Sequence, residues 1–422
     1  MRKNAWRFAL ELAGTVKLAY RLPAFTCVKE ERVRRHSVVS ILFSALPLTL
    51  FIILVTTLVY ACDFIIVPLQ SKDEGPAGES PPPTVDVFAA NSGVENKIYI
   101  GDGRGLFPFI WAASGDVNAS EGVALGDLNN DGNLDAFVVN NGQPNKLYLG
   151  TGDGWFDSVY DASVDSNISM DVALGDFNKD GNLDAFVLND GQNKLYEGDG
   201  AGSFPSVLNA GTNILFSSGI ATGDLDNNGF IDVFAANTSN TANWVYWFDG
   251  TGIYSVTDPN AADTNNSEDA VIGDFDNDGN LDVFVANNGN VNRLYLGDGM
   301  QNFSGNNASP DTFASTGVGL GDFDEDGNLD VFVANAGMPN RVYLGDGAGG
   351  FIAPFDASPD VSASYDVATG DLNNDGYLDA FVVNNGEENR VYLGDGTGNF
   401  PDVYPVGTSL LSTGVALGDF VR

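Results

Sequence analysis

A nine-residue acidic motif, D-x-[DN]-x-[DN]-G-x-x-D, occurs six times, and its residue types suit the binding of a hard cation. The copies are DLNNDGNLD (127–135), DFNKDGNLD (176–184), DLDNNGFID (224–232), DFDNDGNLD (274–282), DFDEDGNLD (322–330) and DLNNDGYLD (371–379). Side-chain oxygens at positions 1, 3, 5 and 9 and the carbonyl of position 7 can converge on one ion, while the glycine at position 6 allows a sharp turn. Such a flexible oxygen shell suits Ca²⁺ better than Mg²⁺.

The motif predicts five metal-ligating residues in each copy. They are Asp127, Asn129, Asp131, Asn133 and Asp135; Asp176, Asn178, Asp180, Asn182 and Asp184; Asp224, Asp226, Asn228, Phe230 and Asp232; Asp274, Asp276, Asp278, Asn280 and Asp282; Asp322, Asp324, Asp326, Asn328 and Asp330; and Asp371, Asn373, Asp375, Tyr377 and Asp379. One copy alone would be compatible with an ordinary β-turn. Six copies that all keep the final aspartate favour calcium sites, about six in number.

These loops differ from an EF-hand, which needs a glutamate at position 12 and flanking helices. Position 12 here is Val138, Val187, Ala235, Val285, Val333 or Val382. A seventh loop is split between the two ends of the repeat region, with Asp419 at position 1 and Asp86 at position 9. Because nothing fills positions 3, 5 and 6, we expect no ion there.

The scarcity of histidine and cysteine excludes several kinds of catalytic and metal site. His36, Cys27 and Cys62 all lie in the first 62 residues, so residues 63–422 contain neither residue type. This excludes histidine-based acid–base catalysis, Ser-His-Asp and Cys-His nucleophiles, and the usual zinc ligand sets from that part of the chain. A disulfide framework is excluded there as well.

The charge of the chain is strongly asymmetric. The formal net charge is −38, yet residues 1–70 contain nine Lys or Arg against four acidic residues. The other 352 residues have ten basic and 53 acidic side chains, a net charge of −43. A phosphate backbone repels so acidic a surface, so we expect no nucleic-acid partner.

The elements that must hold the acidic loops belong to a repeat. The aspartate at position 1 recurs at 127, 176, 224, 274, 322, 371 and 419, with intervals of 48–50 residues, and a G-D-G-x-G-x-F tract recurs with it. Each unit reads as four short strands with no helical period. The chain ends with the first strand of a unit, and the segment that starts at residue 85 supplies strands two to four of a unit that lacks its first strand. We therefore predict an all-β fold, a seven-bladed β-propeller over residues 84–422 closed by pairing of the C-terminal strand with the N-terminal blade.

The units, for example GVALGDLNNDGNLDAFVVNNGQPNKLYLGTGDGWF (122–156), resemble FG-GAP or VCBS-type repeats and are similar to the propeller of integrin α chains. The resemblance covers residues 84–422. It implies calcium in the loops between the first and second strands, on one face of the disc, and adhesion or ligand binding on the opposite face. The chain differs from integrins in having six calcium loops and no leg domains, which argues against a dedicated integrin partner.

The sequence before the repeats predicts a membrane anchor. Residues 37–62 are uncharged, mostly apolar and long enough to span a bilayer as one helix. The basic residues before it place residues 1–36 in the cytoplasm and the propeller outside, in an extracellular or periplasmic location. Residues 63–83 form a Pro-rich linker. The alternatives are a cleaved export signal, which gives a secreted protein, and lipid attachment at Cys62.

These observations favour a membrane-anchored, calcium-binding propeller that mediates adhesion or ligand recognition and is not an enzyme. Its partner would be an extracellular protein or a glycan. The segments that join one unit to the next should lie on the face opposite the calcium loops and bind it. A lectin-like module is the alternative; the unusual Trp244–Phe248 tract offers aromatic rings for a sugar, although packing between blades explains those rings better. A polysaccharide-cleaving enzyme would need acids among Glu95, Glu121, Glu197, Glu268, Glu387 and Glu388.

Overall fold

The computed structural model describes residues 25–27, 39–40, 66–68, 84–259 and 264–421. The chain divides into two compact units, Met1–Pro81 and Pro82–Arg422. In the first unit, three short strands form an antiparallel sheet in the order β2-β1-β3. These strands are β1 (Phe25–Cys27), β2 (Val39–Ser40) and β3 (Ile66–Pro68).

The predicted membrane helix falls outside the described residues, apart from Val39–Ser40. The cytoplasmic segment and the linker also lie largely outside them. Within the described part of the chain, no helix has the length and apolar character needed to cross a bilayer.

The second unit consists of 24 strands over the described residues between 84 and 421, and no helix is found there. The strands are β4 (Asp86–Val94), β5 (Lys97–Ile100), β6 (Phe109–Ala112), β7 (Asn118–Gly126), β8 (Asp135–Asn140), β9 (Lys146–Gly150), β10 (Phe156–Asp161), β11 (Ser169–Gly175), β12 (Asp184–Glu197), β13 (Ser206–Gly223), β14 (Asp232–Asn237), β15 (Trp244–Phe248), β16 (Ile253–Thr257), β17 (Ser267–Gly273), β18 (Asp282–Asn287), β19 (Arg293–Gly297), β20 (Phe303–Asn307), β21 (Ser315–Gly321), β22 (Asp330–Met338), β23 (Arg341–Tyr343), β24 (Phe355–Asp356), β25 (Ser362–Gly370), β26 (Asp379–Leu393) and β27 (Asp402–Gly418).

These strands pair into four-stranded antiparallel blades. The pattern is clearest in β7–β10 and in β17–β20, where four consecutive strands form one blade each. β21–β24 likewise form one blade of four consecutive strands. In the remaining four blades a long strand serves twice: β12 and β26 bend into two strands, and β13 and β27 leave one blade and enter the next.

The second strand of each blade has a nearly continuous run of apolar residues, and its burial explains this pattern. All six residues of β8 are buried, as are those of β14 and β18. Alternation would be expected if one face met water, but here both faces are covered by neighbouring blades, which requires an unbroken apolar run. Aromatic and β-branched residues in D-A-F-V-V and its variants meet that requirement.

The blades form a closed ring. Their first strands contact one another in the order β7, β11, β13, β17, β21, β25, β27 and back to β7. Seven apolar clusters fill the boundaries between adjacent blades over the described residues. At the closure β27 pairs with β4, in a register that sets Gly418 opposite Asp86 and Ser412 opposite Asn91. The predicted seven-bladed propeller with a shared closing blade is confirmed.

Some of the segments that join one unit to the next are regular strands. Residues 205–217 and 401–413 lie almost entirely inside the continuous strands β13 and β27. The hairpin between the second and third strands of a blade pairs with the segment that leads to the next blade, as Gly191 does with Leu215. These hairpins and connections therefore share one face, and the acidic loops leave from the other end of each first strand.

Candidate metal centres

Each acidic loop joins the innermost strand of a blade to the buried second strand. In the first loop, β7 ends at Gly126 and β8 begins at Asp135, so positions 1 to 8 lie between strands and position 9 is the first residue of a strand. The same placement recurs in the other five loops. The two strands thereby set the first and last ligands side by side.

Position 1 folds each loop by accepting two backbone hydrogen bonds. One carboxylate oxygen of Asp127 accepts from the amide of Asp131 at 3.0 Å, and the other accepts from Gly132 at 2.8 Å. Equivalent bonds of 2.8–3.2 Å occur in the five other loops. The reversal also needs positive φ at position 4, as in Asn130 (56°), and at position 6, as in Gly132 (91°).

Position 9 is a buried carboxylate that ties the loop to the blade. Asp135 is fully buried; its oxygens accept from the amides of Leu128 and Gly150 at 2.9 and 2.8 Å. Burial raises the pKa of Asp135 to about 6, with a smaller contribution from the charges of Asp131 and Asp127. The pKa of the equivalent Asp232 rises to about 7 for the same reasons.

Carboxylates from positions 1, 3 and 9 converge in the three loops that have aspartate at all three positions. Their oxygens lie within 4.8 Å of one another in the groups Asp224, Asp226 and Asp232; Asp274, Asp276 and Asp282; and Asp322, Asp324 and Asp330. In the remaining loops position 3 is Asn129, Asn178 or Asn373, which supplies an amide oxygen instead.

This donor set fits a hard divalent cation. The converging atoms are oxygens, and their mutual repulsion is one cause of the raised pKa at position 9. A bound cation would remove that repulsion. Position 5 stands outside these groups, and its side-chain oxygen accepts from the amide of position 7, as Asp131 does from Asn133 at 2.8 Å. The side chain at position 7 instead faces position 4 of the preceding loop.

Neighbouring loops are joined through positions 4 and 7. The side-chain amide of Asn130 donates to the side chain of Asn182 at 3.2 Å and to the carbonyl of Gly200 at 3.3 Å. Two further pairs of the same kind are Asn227 with Asn280 at 2.9 Å and Asn277 with Asn328 at 3.1 Å. This role of position 4 was not predicted from the sequence, although asparagine recurs there in four of the six loops.

The split seventh loop has the predicted geometry. Asp86 is buried and accepts from the amides of Phe420 and Gly101 at 3.0 and 2.9 Å, as position 9 does elsewhere. Burial raises the pKa of Asp86 to about 6, and the charge of Asp419 contributes to the shift. The closing blade therefore keeps the first and last aspartates of a loop that lacks the ligands between them.

Most aromatic rings of the Trp244–Phe248 tract are withdrawn from solvent, and Trp244 is half-buried. Trp247 is fully buried in the cluster between the blade of β13–β16 and the blade of β17–β20, and its indole N–H donates to the Thr257 hydroxyl at 2.7 Å. Tyr246 and Phe248 are also buried. Packing between blades is thus the role of these rings.

Three half-buried aspartates in the central channel were not singled out from the sequence. Asp171, Asp269 and Asp366 lie on the first strands of alternate blades, and each accepts from a backbone amide of the next blade at 2.9–3.1 Å. Glycine faces them: a Cβ on Gly219 would lie 2.4 Å from the Cα of Asp269. Desolvation raises the pKa of all three carboxyls, and repulsion between the channel aspartates adds to the shift at Asp171 and Asp269.

A protein-family model matches the repeated part of the chain. The model of the FG-GAP-like repeat family matches seven overlapping stretches: residues 84–138, 127–187, 176–235, 224–285, 274–333, 322–382 and 371–422. No curated protein sequence matches the chain.

Solved structures with low sequence identity are similar to this chain over most of its length. One is a lectin of Agrocybe aegerita described as recognising non-reducing terminal N-acetylglucosamine, with a TM-score of 0.58, 14% identity, and coverage of 80% of this chain and 96% of the lectin. The BBS1N structure in complex with ARL6DN has a TM-score of 0.46, 12% identity, and coverage of 79% and 87%. The Dos1 propeller has a TM-score of 0.43, 13% identity, and coverage of 76% and 74%.

Proposed function

The chain belongs to the FG-GAP-like repeat family, and on this premise we propose that it is a calcium-stabilised propeller that recognises a ligand outside the cell. In this proposal six acidic loops hold calcium on one face, and the opposite face binds an extracellular protein. The protein acts by adhesion or recognition and has no catalytic activity.

One observation carries the calcium assignment. The carboxylates at positions 1, 3 and 9 approach within 4.8 Å of one another in loops whose backbone is already folded around position 1. A loop that is pre-folded in this way loses little conformational freedom when the ion binds, so the ion's interaction energy stabilises the blade.

The face opposite the loops has the features of a protein-binding surface. Apolar side chains with an exposed fraction of 39–97% occur at its hairpins and connections. They are Val117, Val164, Ile168, Phe216, Met338, Val361 and Leu411. Exposed apolar residues gathered on one face of a domain are typical of interaction sites.

We further propose that residues 37–62 anchor the propeller to a membrane. The support is the length and apolar character of this segment and the basic residues before it. The propeller would then lie on the non-cytoplasmic side, held away from the bilayer by residues 63–83. Signal cleavage, which would release a secreted propeller, is the alternative.

A carbohydrate ligand is the second candidate, and a surface aromatic group favours it. Trp111 lies between Phe109 and Trp155, with ring centroids at 5.5 and 5.1 Å, and Trp155 is 48% exposed. Exposed tryptophan rings can stack against sugar rings. The lectin of similar fold binds a sugar, which is consistent with this alternative.

The two candidates are separated by one set of binding experiments on the full-length protein in detergent with millimolar calcium or chelator. We expect calcium-dependent capture of a cell-surface protein that is lost in the Phe216→Asp, Leu411→Asp double variant and retained in Trp155→Ala. Binding to a defined sugar on a glycan array that Trp155→Ala removes would establish the lectin instead. Equal ligand binding in calcium and in chelator by a stably folded sample would contradict the calcium requirement.

A further inference from the structure

The contacts between neighbouring acidic loops are of two kinds. At three blade boundaries an asparagine at position 4 meets an asparagine at position 7 of the next loop. At two boundaries position 7 is aromatic, as Phe230 or Tyr377, and position 4 of the preceding loop is then charged, as Lys179 or Glu325.

The boundary at Phe230 shows what an aromatic residue at position 7 binds. The ammonium nitrogen of Lys179 lies 3.8 Å from the centroid of the Phe230 ring. The ring also lies against the backbone at Gly250, where an added Cβ would be only 2.1 Å from it. Backbone and ammonium together hold the ring, and the geometry is that of a cation–π interaction.

The boundary at Tyr377 has the same ring position but the opposite charge beside it. An added Cβ on Gly396 would be 2.3 Å from the Tyr377 ring, as at Gly250 and Phe230. Glu325 occupies the place of Lys179 in the motif, and within the described residues no cationic side chain lies over the Tyr377 ring.

A cavity of about 330 Å³ opens at this boundary. Tyr377, Gly396, Glu325, Asp322 and Asp326 are among the residues that line it. Glu325 is exposed and is not one of the predicted calcium ligands, so its negative charge is available whether or not an ion fills the loop. An aromatic ring next to a free carboxylate is a site suited to an organic cation.

We propose that the cavity between the fifth and sixth acidic loops binds the ammonium group of a lysine side chain on a protein ligand. The ammonium takes the place that Lys179 has over Phe230, with Tyr377 as the aromatic face and Glu325 as the counter-charge. This site lies on the acidic-loop face and is separate from the apolar face proposed above.

The experiment uses ligand-observed NMR on the full-length protein in detergent with millimolar calcium. The probe is Nα-acetyl-L-lysine N-methylamide, and the control is the norleucine analogue, which lacks the ammonium group. We expect weak binding of the lysine probe, with Kd on the order of millimolar, and at least roughly fivefold weaker binding of norleucine.

Two reciprocal substitutions identify the site. Glu325→Lys should fill the cavity from within, as Lys179 does, and reduce binding of the probe at least about fivefold. Lys179→Glu should uncover Phe230 and add a second site. Thermal unfolding and calcium stoichiometry show whether each variant is folded, and Glu325→Gln, which keeps the shape and removes the charge, should also weaken binding.

Three outcomes would overturn the proposal. They are no binding of the lysine probe to the wild-type protein, equal binding of lysine and norleucine probes, and undiminished lysine binding to both Glu325 variants. Each of these outcomes can be distinguished from an absence of bound calcium, because the calcium stoichiometry is measured in the same samples.

Discussion

At the scale of single residues, the aspartate at position 9 has two roles that the split loop separates. In complete loops it accepts two backbone amides and also faces the carboxylates of positions 1 and 3, as Asp282 does with Asp274 and Asp276. In the split loop, Asp86 makes the backbone bonds without that ligand set. Comparing the two positions therefore separates metal binding from tethering.

Asp282→Asn is expected to remove one bound calcium per molecule, because it takes away one of three converging charges. Asp86→Asn is the matched control and should leave the stoichiometry unchanged. Both substitutions set an amide against a backbone donor, so each should cost about 1–3 kcal/mol of unfolding free energy. Equilibrium dialysis counts the ions. Equal stoichiometry in both variants would contradict the assignment.

A buried tyrosine on the third strand connects adjacent blades. The Tyr392 hydroxyl accepts from the side-chain amide of Asn340 at 3.1 Å, and Asn340 in turn accepts from the Asn335 backbone amide at 2.9 Å. Tyr392→Phe should lower the free energy of unfolding by about 1–2 kcal/mol, because a buried amide donor loses its acceptor. Denaturant unfolding measures this. Tyr160→Phe, at a residue 52% exposed, is the control and should have no effect.

At the scale of elements, the acidic loops act as a connected series. Asn277 donates to Asn328 of the next loop and, at 3.4 Å, to the carbonyl of Gly347. A loop held by an ion therefore positions the following loop, so calcium affinities of adjacent blades should be linked.

Asn277→Ala is expected to raise the calcium concentration at half-saturation of the weaker sites about two- to fivefold, because the bond contributes of order 1 kcal/mol. Isothermal titration calorimetry measures the change. The control, Asn306→Ala, alters an asparagine on the strand β20, outside the acidic loops, and should not shift the titration. An unchanged titration in Asn277→Ala would show that the loops bind independently.

At the scale of the whole molecule, closure of the ring concentrates negative charge. The first strands bring Asp171, Asp269 and Asp366 into one channel, where a cavity of about 230 Å³ is also lined by Glu121 and Glu268. At this position of the first strand, glycine and aspartate alternate from one blade to the next. Because the number of blades is odd, the alternation cannot close, and two glycines, Gly414 and Gly122, lie next to each other. The channel carboxyls and the six buried loop aspartates all have raised pKa values.

The pH dependence of stability follows from these shifts. A folded pKa of about 6, above the ordinary value near 4, means that the folded protein binds more protons than the unfolded chain between these values. In chelator the melting temperature should therefore fall as the pH rises from about 5 to about 8. Calcium should raise it by several degrees at pH 8 and less at pH 5, since the ion requires ionised ligands.

Differential scanning calorimetry at both pH values, with calcium or chelator, tests this prediction. Asp269→Asn should flatten part of the pH dependence in chelator by removing one channel carboxyl, while leaving the calcium effect unchanged. A melting temperature that calcium does not change at pH 8 would contradict the calcium assignment.

The number of blades, the strands, the acidic loops and the shared closing blade could all be predicted from the sequence. Each of these features is local or periodic: position 9 follows position 1 by eight residues, and the repeat interval of 48–50 residues carries every strand with it. Even the split loop of Asp419 and Asp86 could be identified, because the two fragments complement one another within the same pattern.

The contacts between blades could not be predicted from the sequence, because they join residues about 50 or more positions apart. Lys179 meets Phe230 and Asp171 faces its neighbours in the channel only because the ring sets equivalent strands side by side. In the sequence motif, position 4 has no ligand role, and the channel aspartates are ordinary strand residues. The residues that they contact lie in neighbouring blades. Their environment arises from the packing of neighbouring blades, which also forms the cavity lined by Tyr377 and Glu325.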